Sequence, residues 1–118
     1  MKHRHSLLHS FYYAIVGIIL CIKEERNIKI HLIITILVAL AGIYFGINKI
    51  EWLILIQCIG FVLSLEVMNS AIERNVDLVT KEYHPIAKNA KDIAAGAVLI
   101  GTVVSVIIGL IIFIPKLL

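Results

Sequence analysis

A chain of 118 residues, 60% of them hydrophobic and with a formal charge of +3, is too apolar for an ordinary soluble domain. Crossing a bilayer core roughly 30 Å thick takes about 20 helical residues, so this length holds one compact membrane domain and no separate soluble catalytic domain. The small positive charge is that of a membrane protein whose basic residues set its orientation, and gives no reason to expect nucleic acid.

The N-terminal segment begins with Lys2 and Arg4 ahead of an apolar run, as a secretory signal does. No small-residue cleavage site follows, and the run closes in Lys23-Glu24-Glu25-Arg26, so retained mature protein is expected. Its apolar part, 11–22, would reach about 18 Å at 1.5 Å per residue, too little to cross. With basic residues at both ends, 6–24 is expected to form an amphipathic helix on the membrane surface.

Three spans follow at about 28–46, 50–72 and 93–114, the last ended by Pro115. Each should be a helix, because lipid offers backbone polar groups no partner. The predicted fold class is an all-α membrane protein: a surface helix, then three transmembrane helices. A cytoplasmic N-terminus gathers Lys2, Arg4, Lys23, Arg26, Lys29, Arg74, Lys81, Lys88 and Lys91 on one side, leaving Lys49 and Lys116 on the other. The positive-inside rule therefore predicts N-terminus in and C-terminus out across the cell membrane.

Ala97, Gly101, Ser105 and Gly109 place a small residue at every fourth position of the third span, and Gly42 and Gly46 repeat the spacing in the first. Such ridges let helices approach closely in lipid. Three spans enclose little interior, so a homo-oligomer is expected. Cys21 and Cys58 lie in apolar runs with no CxxC or Cys/His spacing and read as small hydrophobes. His3 and His5 are expected in solvent, His9 and His31 at the membrane interface.

The second span ends in SLEVMNSAIERNVDLV, residues 64–79. At 100° per residue, with Glu66 at zero, Asn69 falls at about −60°, Ser70 at +40°, Glu73 at −20° and Asp77 at +20°. One stripe therefore carries all five polar groups. A carboxylate at membrane depth costs several kcal/mol unless paired, hydrated or metal-bound, which makes it a functional candidate. Glu66 lies deeper than Glu73 by about 10 Å along the axis, so the stripe runs from apolar depth to water. That suits a reaction between a membrane-embedded reactant and a soluble one.

Two further charged clusters reach the same edge, 23–26 and the 81–92 connection between the second and third spans. Glu25 and Glu73 could supply hard oxygen ligands to Mg²⁺, and Lys91 with His84 could answer phosphate charge. No GxxxxGK, GxGxxG, HExxH or GxSxG motif occurs, so a nucleotide would be held by metal and scattered polar groups.

The runs from Glu66 to Asp77 (EVMNSAIERNVD) and from Lys91 to Val98 (KDIAAGAV) closely resemble the small prokaryotic diacylglycerol kinases, integral-membrane lipid kinases. The likeness extends over about 10–114. It implies a homotrimer with shared active sites that moves the γ-phosphoryl of ATP to a lipid alcohol with Mg²⁺. By the same resemblance Glu66 is the general base, Glu25 and Glu73 are the metal carboxylates, and Asn69 and Asp77 are active-site polar groups. Glu82, Tyr83, His84, Lys91 and Asp92 correspond to nucleotide-binding segments, and Tyr13 to an aromatic near the nucleotide. One departure is an arginine of some relatives where this chain has Ser6, with Arg4 the candidate substitute. The stretch Glu25-Arg26-Asn27-Ile28-Lys29-Ile30-His31 looks like the Gram-positive branch, which favours undecaprenol as substrate with diacylglycerol as the alternative. The competing reading from another class is a small proton-coupled multidrug transporter built around one membrane glutamate. A third is an accessory subunit that only packs against partners, which would have no use for paired acids.

Overall fold

The computed structural model describes residues 6–118; the expectations for Lys2, His3, Arg4 and His5 lie outside those residues. The described chain is all helical, with α1 (Leu7–Glu24), α2 (Arg26–Phe45), α3 (Lys49–Val79) and α4 (Pro85–Leu117). All four are long and apolar enough to cross a membrane by length and composition. Large apolar side chains cover the exterior, among them Ile33, Ile36, Leu37, Leu53, Ile56, Leu99, Ile107 and Ile111. In water this surface would be unfavourable; against lipid tails it carries no such penalty.

Helix α1, with its Ser6 cap, keeps the expected bounds of 6–24, whereas two of the three spans run well beyond theirs. Helix α1 has 18 residues, about 27 Å of rise, so it is not too short to cross as its apolar run suggests. Ser6 caps it, its Oγ accepting from the His9 amide at 3.3 Å, and the helix continues through Lys23 and Glu24. The second and third spans are cores of much longer helices, 31 and 33 residues. Polar residues end an apolar run without ending a helix, since Glu, Lys and Arg are good helix formers. The connection between α3 and α4 is thereby reduced to 80–84, and Lys88, Lys91 and Asp92 stand on α4. Pro85 opens α4 at its first turn, where a missing amide costs nothing. Pro115 does not end α4, which runs on to Leu117; a proline's φ is itself helical, and here it forfeits one hydrogen bond near the terminus.

Helices α3 and α4 form the principal pair, with α2 packed on α3 and α1 touching both α2 and α3. At one end Ile47, Leu55 and Ile112 are buried together, flanked by Val38, Phe45, Trp52 and Phe113. Asn48 and Glu51 form a reciprocal capping box at the start of α3, and Glu51 reaches Lys116 of α4 at 3.2 Å. Part of the predicted small-residue packing is present. Gly101 is buried, and a Cβ there would lie 2.9 Å from Leu65 Cδ1 on α3. Gly42 abuts the Trp52 indole just as closely, whereas Gly109 faces open space. Gly46 serves the turn instead: it caps α2 at φ 62°, the left-handed region open to glycine. Cys21 is buried, Cys58 is half-buried, and both are free thiols.

Candidate active site

At the end opposite that core meet the close of α1, the start of α2, the close of α3 and the start of α4. Glu25 is the single extended residue between α1 and α2 (φ −102°, ψ 123°). The break lets its side chain reach α3, where Glu25 Oε1 accepts from Ser70 Oγ at 3.0 Å and Arg74 Nη2 at 3.3 Å. Arg74 Nη2 also donates to Glu24 Oε1 at 2.9 Å. These ion pairs are substantially solvated, and water screens them. Their value is in fixing where the α1–α2 break lies against α3.

The polar stripe of α3 faces inward. Glu66 is 4% exposed, Asn69 6% and Ser70 4%, while Met68, on the other side of the helix, is exposed. Glu66 Oε2 lies 3.7 Å from His31 Nε2 on α2. Asn69 Oδ1 is buried with no hydrogen-bond partner among the described residues. An orphaned buried acceptor costs about 1–3 kcal/mol, and native structures keep such groups chiefly where function needs them. Farther along, Glu73 lies within electrostatic reach of Glu25, Glu66, Asp77 and Lys91. Lys91 Nζ bonds Asp77 Oδ1 at 2.6 Å, which ties α4 to the end of the stripe.

Beyond this pair a cleft of about 340 Å³ opens where α3 and α4 diverge. Asp77, Glu82, Tyr83, His84, Lys91 and Asp92 all line it. His84 caps α4, its Nδ1 accepting from the Ile86 amide at 3.1 Å, and Asp92 pairs with Lys88 at 2.6 Å. Every residue matched by sequence to a nucleotide segment is therefore in one polar cleft, apart from Tyr13. Tyr13 is half exposed on α1, packs edge-on against Tyr12, and is not part of the cleft lining.

The donor chemistry suits Mg²⁺. Glu25 and Glu73 are hard oxygen donors close enough to interact, and Mg²⁺ ordinarily takes one or two carboxylates with waters and substrate phosphates. Among the described residues no three or more His, Cys, Asp or Glu side chains form a ready-made metal cage.

Sequence reasoning puts Ser70 on the stripe without a role, and misses His31 and Arg74 as groups that contact Glu66 and Glu25. A usable signal existed for His31, because an ionisable side chain inside a span is a functional candidate. That rule, applied to Glu66, applied equally to the histidine assigned to the interface.

Residues 12–113 match the sequence model of the family described as prokaryotic diacylglycerol kinase. The chain belongs to this family. It is therefore a lipid kinase, with ATP implied as phosphate donor, and the transporter and accessory-subunit readings fall away. The chain is 46% identical over 118 residues to the undecaprenol kinase of Bacillus subtilis, covering 98% of this chain and 96% of that protein. It is 39% identical over 114 residues to a Synechocystis diacylglycerol kinase, covering 96% and 65%. To a Helicobacter pylori diacylglycerol kinase it is 32% identical over 97 residues, covering 82% and 76%.

Proposed function

We propose that this lipid kinase phosphorylates undecaprenol to undecaprenyl phosphate, with Glu66 as general base. The observation that carries the site assignment is one continuous polar track from the buried Glu66 and Asn69, through Glu73, to the Asp77–Lys91 cleft. Its deep end can meet a lipid alcohol and its wet end a nucleotide.

Phosphoryl transfer passes through a loose, in-line transition state and depends on positioning and charge neutralisation. Asn69, one helical turn from Glu66 on the same face, is a polar group beside the hydroxyl, whose single O–H proton points at the Glu66 carboxylate. Glu66 orients the hydroxyl and takes its proton late. Lys91 and His84 contact phosphate oxygens and Tyr83 flanks the nucleotide. Asp77 holds Lys91 and Asp92 holds Lys88, with Glu82 beside them in the cleft. Tyr13, outside that cleft, is assigned to the nucleotide by resemblance alone. Glu25 and Glu73 would hold Mg²⁺, which neutralises charge on the phosphates when bound.

Helix α1 rests along the inner leaflet, its Lys23 and Glu24 in the headgroup layer, and defines where the alcohol enters. The clustering of Lys23, Arg26, Lys29, Arg74, Lys81, Lys88 and Lys91 at the site's end supports a cytoplasmic N-terminus and an outer C-terminus in the cell membrane. Assembly as a homotrimer with shared sites follows from the family resemblance.

The near full-length likeness to an undecaprenol kinase favours the polyprenol. A second reading, diacylglycerol, is favoured by the likeness to diacylglycerol kinases. Initial rates in mixed micelles, with each alcohol and with or without Mg²⁺, test both. Faster Mg²⁺-dependent labelling of undecaprenol is expected. Faster labelling of diacylglycerol would reverse the substrate assignment, and labelling of neither would overturn the reading.

A further inference from the structure

We infer that His31 is a positioning residue for Glu66: its Nε2 holds Glu66 Oε2, so that the other carboxylate oxygen is aimed at the lipid hydroxyl. The inference rests on the reading of Glu66 as the base.

Among the described residues, His31 Nε2 is the one basic nitrogen within 4 Å of the Glu66 carboxylate, at 3.7 Å. The two side chains are 19% and 5% exposed, so little water competes for this contact. Glu66 belongs to α3 and His31 to α2, and the contact bridges the two helices at the depth of the stripe. The histidine's own turn is fixed locally, its carbonyl accepting from Thr35 Oγ1 at 2.8 Å. A separation of 3.7 Å exceeds the usual 2.7–3.2 Å of an N–H···O bond, and contacts in substrate-free sites commonly tighten when substrate binds.

A carboxylate serving as base presents one oxygen to the proton it takes, and a glutamate has three side-chain torsions through which to lose that aim. Among the described residues no other side chain hydrogen-bonds or ion-pairs with the Glu66 carboxylate. Glu73, on the same helix, is acidic. Glu25 is engaged by Ser70 and Arg74, and Lys91 by Asp77. The buried residues of α4, Ala94, Val98, Gly101 and Ile112, carry no ionisable group.

Paired polar substitutions distinguish positioning from simple packing. Glutamine places its amide nitrogen at about the reach of Nε2, whereas asparagine reaches only as far as Nδ1. The experiment measures kcat, and KM for Mg·ATP and for the lipid alcohol, with full-length His31→Gln and His31→Asn, each also in a Glu66→Gln background. His31→Asn should lower kcat about 10- to 100-fold, the scale of an ångström-level misplacement. KM for Mg·ATP should stay within about twofold, the pattern of an interaction used in the transition state. His31→Gln should recover most of kcat, and neither change should lower the residual rate of Glu66→Gln, since coupled residues are not additive. Equal kcat for the asparagine variant and wild type, equal losses in both variants, or a further loss in the double variants would overturn the inference. If Glu66→Gln alone kept its rate, the base reading would fail first, and the single His31 variants would still report separately.

Discussion

Glu66 and Glu73 share one face of α3 but have different surroundings, and their substitutions should fail differently. Glu66 is buried beside His31. Glutamine there should bind Mg·ATP nearly as well as wild type and lose about 10²-fold or more of kcat, the scale of a lost general base. Glu73 is less buried, among Glu25, Asp77 and Lys91. If Glu73 is a metal carboxylate as proposed, Glu73→Gln should instead raise the Kd for Mg·ATP severalfold by titration calorimetry, through loss of a hard oxygen donor. Asn69→Leu exchanges a buried amide with an orphaned Oδ1 for an apolar group of similar size. It should raise the thermal midpoint in detergent, consistent with about 1–3 kcal/mol of relieved desolvation, while abolishing turnover; a lower midpoint would show that Oδ1 is satisfied in the working protein. The five-residue stripe was legible in the sequence because helical periodicity alone fixes it. The His31 contact was not, because nothing local to α2 states which residue of α3 faces it.

At the scale of elements, hydropathy locates the cores of helices and misses their ends. The apolar stretch of α3 stops near Ile72, but the helix runs to Val79 and so carries Glu73, Arg74 and Asp77 on a rigid continuation. Likewise α4 starts at Pro85, which puts Lys88, Lys91 and Asp92 in helical register instead of in a loop. This rigidity lets Lys91 meet Asp77 at 2.6 Å. The small-residue ridge was legible as a tendency, but only packing reveals which members are used. Gly42 is one: an alanine Cβ would lie 2.8 Å from the Trp52 ring, so the rigid indole would have to move as a whole. Gly42→Ala should therefore lower stability by about 1–3 kcal/mol, as overpacking does, despite its better helix propensity. Thermal unfolding in detergent reads this directly, and a raised midpoint would show that the ring shifts freely.

For the whole molecule, the two ends have different roles. The Ile47–Leu55–Ile112 core, the Asn48 capping box and the Glu51–Lys116 pair close one end. The other end leaves acids and bases around a cleft. Apolar sides between them read as a lipid-facing belt, and this division was legible from the distribution of charge along the chain. The position of α1 was less so, since its apolar run and its helix differ in length. The central claim is that Glu66 takes the proton of a lipid alcohol as phosphate arrives from the cleft. Its most direct test is transfer of label from [γ-³²P]ATP into undecaprenol in mixed micelles, comparing wild type with Glu66→Gln at saturating Mg·ATP. Labelled lipid from wild type, and at least about a hundredfold less from the variant, is the predicted result. Similar rates from both proteins would contradict it.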